Sequence, residues 1–425
     1  MTEHDLFNIK LASSPNQADE TNKDFYGRYN YPWPPAFFLS YPPGVAMKFL
    51  NQDLGYFKHD RIRGKVKIWV AGCGTNQALI TALKFPEAEV LGTDLSKKSL
   101  DLCQKNANQI GVKNLKLEET SINNINYSDY FDYIICTGVI HHNANPGYTL
   151  EKISGSLKKD GILELMVYNY YHRLLTTACQ KSVRGFYDSL KAVDLDFELS
   201  LVRELMKTVP EETLMGALLK TYADCPEEQV ADTLLQPIEF SYTVESLNQL
   251  AVDCNLETLM PCLSQFDASK NLMTWNFDFK KSPIKEFYKH LDDIKRWQVS
   301  NLLLLNESPM LWFYFQRKNS SFKRKTEHMV CEDFLNSSFE KNTFQLEKYL
   351  VNSKLEYHKT DDVKFPATEK IEDLFAQKIF GKINPKYKIR DIFNALHIDL
   401  SFDRVNDLRL KLTSSARPCL SAIDV

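Results

Sequence analysis

The chain has 425 residues, 44% hydrophobic and 25% charged, the balance of a soluble globular protein with room for one large domain and a smaller unit. Its 52 basic and 55 acidic residues leave a formal net charge of −3, so no global basic field exists to hold nucleic acid or an anionic membrane. The nine cysteines lack CxxC-type spacing, which argues against a zinc site, an iron–sulfur cluster or a secreted disulfide framework. Together with the absence of a signal-like leader or a long apolar run, this gives the expectation of a cytoplasmic protein with reduced thiols, no metal and no membrane span.

In chain order, residues 1 to about 24 are polar and read as loose, and they lead into an aromatic and proline-rich flap, "DFYGRYNYPWPPAFFLSYPPG". The flap closes a first segment, 1–45, and offers Tyr29, Tyr31 and Trp33 as ligand contacts. From Val66, short apolar runs alternate with stretches of helical spacing: "VKIWVA", "AEVLGTD", "LKLEET", "FDYIICTGV" and "GILELMVY". Strand and helix in alternation predict a parallel sheet covered on both faces. A mainly helical insertion is expected over 172–236, after which a helix in "TVESLNQLAVDCN" and strands in "LETLMPCL" and "PMLWFYFQR" complete a domain spanning 46–318. A polar, basic linker then precedes a unit at 325–425 with three short helical patterns, read as a small helical or winged-helix module for substrate docking, regulation or formation of a homodimer.

A parallel strand that ends in a glycine turn and opens a helix leaves backbone amides pointing at the turn, and absent side chains let a ligand reach the main chain. An acid about 20 residues on, at the end of the next strand, accepts the hydroxyls of a ribose. Gly72, Gly74 and Asp94 stand in this relation. "VAGCGT", "GTDLS" and "GVIHH", in that order and spacing, with the late aromatic strand "MLWFYFQR", resemble the class I S-adenosylmethionine-dependent methyltransferases, in particular bacterial methyltransferase domains sometimes fused to tetratricopeptide repeats. The resemblance covers roughly 32–317 and implies a Rossmann-like α/β sheet, mostly parallel with an antiparallel last strand.

It implies S-adenosyl-L-methionine as cofactor and S-adenosyl-L-homocysteine as product. Ala71, Gly72, Cys73 and Gly74 would line the methionine end, Asn76 would be a further cofactor-binding residue, Asp94 would hold the ribose, Leu95 would pack on the adenine, Ser121 and Ile122 would sit at its amine, and Thr137 and Gly138 would face the cofactor. Three positions depart from the family pattern: Val70 and Ser121 stand where acids are usual, and Asn76 where a third glycine is usual.

Ligand crevices in open parallel sheets lie at the carboxyl ends of the strands, so Asn143, Tyr168, Asn169, Tyr170 and Tyr171 are candidate acceptor contacts. His142 and, second, His141 are candidate general bases, since imidazole takes a proton near neutral pH. The acceptor is expected to be a small molecule, peptide or protein methylated on O or N. Two alternatives stand beside this: a non-catalytic methyltransferase-like binding or regulatory protein, and a nicotinamide-dependent oxidoreductase of the same fold.

Overall fold

The computed structural model describes residues 8–10, 14–29, 35–187, 194–280, 282–365 and 371–423. Its centre is a seven-stranded sheet, here numbered β1 (Lys67–Ala71), β2 (Glu89–Asp94), β3 (Leu115–Glu119), β4 (Phe131–Thr137), β5 (Leu157–Met166), β6 (Leu256–Pro261) and β7 (Trp312–Arg317). The spatial order is β3-β2-β1-β4-β5-β7-β6. β1 to β5 pair in parallel, and β7 runs antiparallel between β5 and β6. Every strand lies where the alternation of apolar and helical stretches put it.

The two faces follow from the period-2 alternation of a strand. Ile68, Val70, Val90, Tyr133 and Ile135 enter one apolar layer, while Trp69, Ala71, Leu91, Ile134 and Cys136 enter the other. Gly92 in β2 is a close-packing glycine, because an added Cβ would lie 2.5 Å from the Cβ of Ala78 on the next helix.

The amino-terminal segment is more ordered than its composition suggests. Instead of a loose stretch, Pro15–Arg28 forms a helix, α1, whose N-cap Ser14 Oγ accepts from Gln17 N at 3.3 Å. It buries Ala18, Asn22 and Phe25, a single narrow stripe at helical spacing. The insertion contributes α2 (Tyr170–Arg184), α3 (Leu195–Thr208), α4 (Leu214–Thr221) and α5 (Glu227–Leu234). Phe25 and Tyr29 share one core with Cys179, Val183, Val202, Leu219, Val230 and Leu234, so α1 and the insertion form a joint cap.

Beyond residue 325 the three expected helices are present at Leu374–Lys382, Ile389–Ala395 and Phe402–Thr413, joined by a fourth, Glu327–Leu335. Phe334, Ile379, Phe393, Leu408 and Leu412 belong to the same apolar layer as Ile68 and Val70 and thus cover one face of the sheet. The strand Phe344–Val351 pairs with Phe37–Ser40, which ties this region back to the flap.

Gln52, on the buried helix Val45–Asp53, fastens the carboxyl-terminal strand: its Nε2 donates to Thr413 O (3.0 Å) and Leu420 O (3.1 Å), and its Oε1 accepts from Ala422 N (2.8 Å). Gln52→Leu leaves those three backbone groups without partners and is expected to cost about 2–4 kcal/mol in urea unfolding. A loss below about 1 kcal/mol would mean that this contact does not hold the region in place.

Candidate functional site

The strand order reverses between β1 and β4, and a cleft of about 440 Å³ opens above the carboxyl ends of the strands there. Its floor is the glycine turn after β1, where Gly72 and Gly74 take φ of +67° and +52°. A Cβ at Gly72 would lie 2.5 Å from Val139 Cγ2, so the residue is glycine for the packing of this turn on the loop after β4 as well as for access to the main chain.

Asp94, at the end of β2, fixes the turn. Its Oδ2 accepts from Gly74 N at 2.8 Å and its Oδ1 from Ser96 N at 2.8 Å. Burial pushes its carboxyl up from the ordinary range, and the amides of Ser96, Gly74 and Leu95 pull it down. Each oxygen retains a lone pair for a further donor.

Gly72, Cys73, Gly74, Asp94, Leu95, Ser121, Ile122, Thr137, Gly138, His142, Asn143 and Tyr168 all line this cleft. Ala71, Asn76, His141, Tyr29, Asn169, Tyr170 and Tyr171 lie outside its lining, and Tyr31 and Trp33 fall outside the described residues. The reasons differ. Asn76 is buried and precedes the helix Gln77–Lys84 with φ −145°, so its place carries no left-handed strain that would favour glycine. Tyr29 is spent in the core shared by α1 and the insertion. Asn169 caps α2, its Oδ1 accepting from Tyr171 N at 3.1 Å while its Nδ2 donates to Ser308 Oγ at 2.9 Å.

The two histidines separate clearly. His141 is fully buried behind the lining, its ring 4.0 Å from that of Tyr168, with neither ring nitrogen hydrogen-bonded among the described residues. Burial holds its pKa well below the ordinary value. His142 reaches the cleft, and its Nδ1 donates to Ile238 O at 2.8 Å, which fixes the tautomer and leaves Nε2 as the basic nitrogen. Burial lowers its pKa to about 4, against the raising effect of Ile238 O and Glu239. At neutral pH it is an uncharged, oriented acceptor and a weak base.

Several lining residues escaped the sequence reading. α1 contributes Asp19, Asn22, Lys23 and Tyr26. Asn22 Nδ2 donates to His142 O at 2.7 Å and Lys23 pairs with Glu119 at 2.9 Å, so α1 is pinned across the cleft. Asp19 lies beside Ser121 and accepts from Asn123 Nδ2 at 3.4 Å. α5 contributes Asp232, and the approach to β7 contributes Met310 and Trp312. Trp312 pairs in register with Met166. These last residues had a usable signal, because an antiparallel final strand must start where the parallel strands end. Asp267, in the short helix Gln265–Ser269, holds the backbone of Met310 by accepting its N–H at 3.3 Å.

The sheet order, the antiparallel β7 and the glycine turn latched by an acid bear out the expected Rossmann-like methyltransferase fold. Residues 66–203 match the family model described as "Methyltransferase domain". An uncharacterised protein of Synechococcus sp. is 25% identical over 251 residues, 56% of this chain and 59% of that protein. An uncharacterised protein of Rickettsia prowazekii is 28% identical over 214 residues, 45% of this chain and 38% of that protein. The chain thus spans less than two thirds of either relative. Among solved structures, PKMT2 from Rickettsia typhi in complex with AdoHcy superposes with a TM-score of 0.58 over 93% of this chain and 78% of that one, at 15% identity, a likeness of fold. No helix among the described residues is long and apolar enough to cross a membrane.

The depressed pKa of His142 has a measurable consequence for stability. The unfolded chain takes up a proton near 6.5 and the folded one only near 4, so stability from this group is complete above 6.5 and falls as pH drops toward 4. Wild type is expected to lose roughly 3 kcal/mol more than His142→Gln over that window, read by urea unfolding at several pH values. Parallel curves for the two proteins would show that His142 titrates normally.

Proposed function

We propose that the protein transfers the methyl group of S-adenosylmethionine to a nitrogen or oxygen atom of an acceptor that enters at the Tyr168, Trp312 and Asp232 end of the cleft. The observation that carries this reading is the Asp94 latch on an open glycine turn at the point where strand order reverses. The residues present fit the cofactor chemically. Asp94 offers lone pairs to ribose hydroxyls, Leu95 and Ile122 offer apolar surface to an adenine, and the main chain at 72–74 faces the cleft beside them. The carboxylate absent at Ser121 has a substitute in Asp19, which α1 brings to the same place and which is available to accept from the adenine amine.

S-adenosylmethionine supplies an electrophilic methyl carbon on a sulfonium, so the protein's share of the work is to align the acceptor, exclude water and handle a proton. The joint cap of α1 and the insertion supports exclusion of water. His142, oriented by Ile238 O and neutral, supports the acceptor as a hydrogen-bond acceptor more readily than as a strong base.

Calorimetry with S-adenosylhomocysteine tests the reading. Wild type is expected to bind, Asp94→Asn to bind about 10- to 100-fold more weakly, and Asp19→Asn about 5- to 10-fold more weakly. No binding to wild type at millimolar ligand would refute the enzyme reading. Unchanged affinity in either variant would remove that carboxylate from the nucleoside site.

A further inference from the structure

The acceptor end of the cleft has an unbalanced charge. Asp232 lines it together with Tyr26, Tyr168, Trp312, Met310 and His142. The cation nearest this carboxylate is committed elsewhere: Arg173 donates from Nε and Nη2 to the two oxygens of Glu239 at 2.7 and 2.6 Å, and from Nη2 also to Thr233 O at 2.9 Å. Two carboxylates, Asp232 and Glu239, therefore share one guanidinium, and Asp232 forms no ion pair among the described residues. The one cationic side chain in the described lining, Lys23, is paired with Glu119 on α1's far side of the cleft. Arg173 already lies over the Tyr168 ring at 4.4 Å, so the unneutralised carboxylate stands with Tyr26 and Trp312, aromatic side chains whose faces attract a further cation. An anionic acceptor would be repelled here, and an alcohol would leave the carboxylate unmatched.

We propose that the acceptor is an amine that enters as its ammonium, and that Asp232 binds this cation and takes up its proton. The inference rests on reading the cleft as a site for S-adenosylmethionine. The proton leaves the ammonium for the Asp232 carboxylate, which frees the nitrogen lone pair. As the new N–C bond forms, the electrons of the old S–C bond stay on sulfur, so the products are a methylated ammonium and a neutral thioether, with one proton held by Asp232 and passed on to water.

The surroundings suit this exchange. Burial and Glu239 raise the Asp232 carboxyl to about 6, while Arg173 and the Gln236 side chain pull the other way. Gln236 Nε2 in turn donates to Tyr26 Oη at 2.6 Å, so the position of the carboxylate is set by the cap as well as by its own helix. His142, neutral at the same wall, adds no competing positive charge.

Sinefungin, a nucleoside that carries an amino group where S-adenosylmethionine carries its methyl, is the probe, with S-adenosylhomocysteine as the uncharged comparison. Calorimetry on the full chain is expected to show that Asp232→Asn weakens sinefungin about 10-fold while S-adenosylhomocysteine stays within about 2-fold. Asp232→Glu, which keeps the charge, is expected to recover most of the difference. Equal loss for both ligands, or no loss for sinefungin, would overturn the assignment while leaving the cofactor reading intact. Failure of wild type to bind either ligand would overturn both. Transfer of labelled methyl to n-butylamine but not to n-butanol is the expected companion result, and the reverse preference would also overturn it.

Discussion

One carboxylate holds the working end of this molecule together. Asp94 accepts from Gly74 N with one oxygen and from Ser96 N with the other, so the turn after the first strand and the turn after the second are fixed against each other. The sheet makes this contact available, because parallel pairing of β1 with β2 brings both carboxyl ends to the same edge. The same side chain keeps lone pairs in reserve for a further donor in the cleft. Everything else at the site is arranged around this latch: Val139 against Gly72, Asp19 beside Ser121, and His142 tethered to Ile238 O.

Much of the fold was legible because its signals are local. The apolar runs of β1, β2 and β4 are nearly continuous, as strands buried on both faces must be, and the glycines and Asp94 stand at fixed offsets from them. What was hidden depends on long-range packing. α1 shows a stripe of only Ala18, Asn22 and Phe25, and a stripe of that width in a polar stretch cannot be told from a loose segment until its partner core in the insertion is known. Asp19 and Asp232 are single acids on otherwise ordinary helices, and nothing in their own neighbourhood marks them. The pair at His141 and His142 illustrates the converse. Adjacent residues in a short 3-10 turn point apart, and only the contact with Ile238, almost a hundred positions away, decides which of them meets the cleft.

The two ends of the sequence serve different faces of the sheet. The region after 325 completes an apolar layer that the domain's own helices leave unfinished, with Gln52 binding the last strand. α1 and the insertion instead build over the crevice, and their common core makes them one body where the sequence suggests two.

That joint body is held to the cleft at several places. α1 touches the cleft through Asp19 and Lys23, is tied to the loop after β4 through Asn22, and meets the insertion through Tyr26 and Gln236. The fourteen residues of α1 therefore join the cleft wall, the loop after β4 and the insertion in one continuous set of contacts.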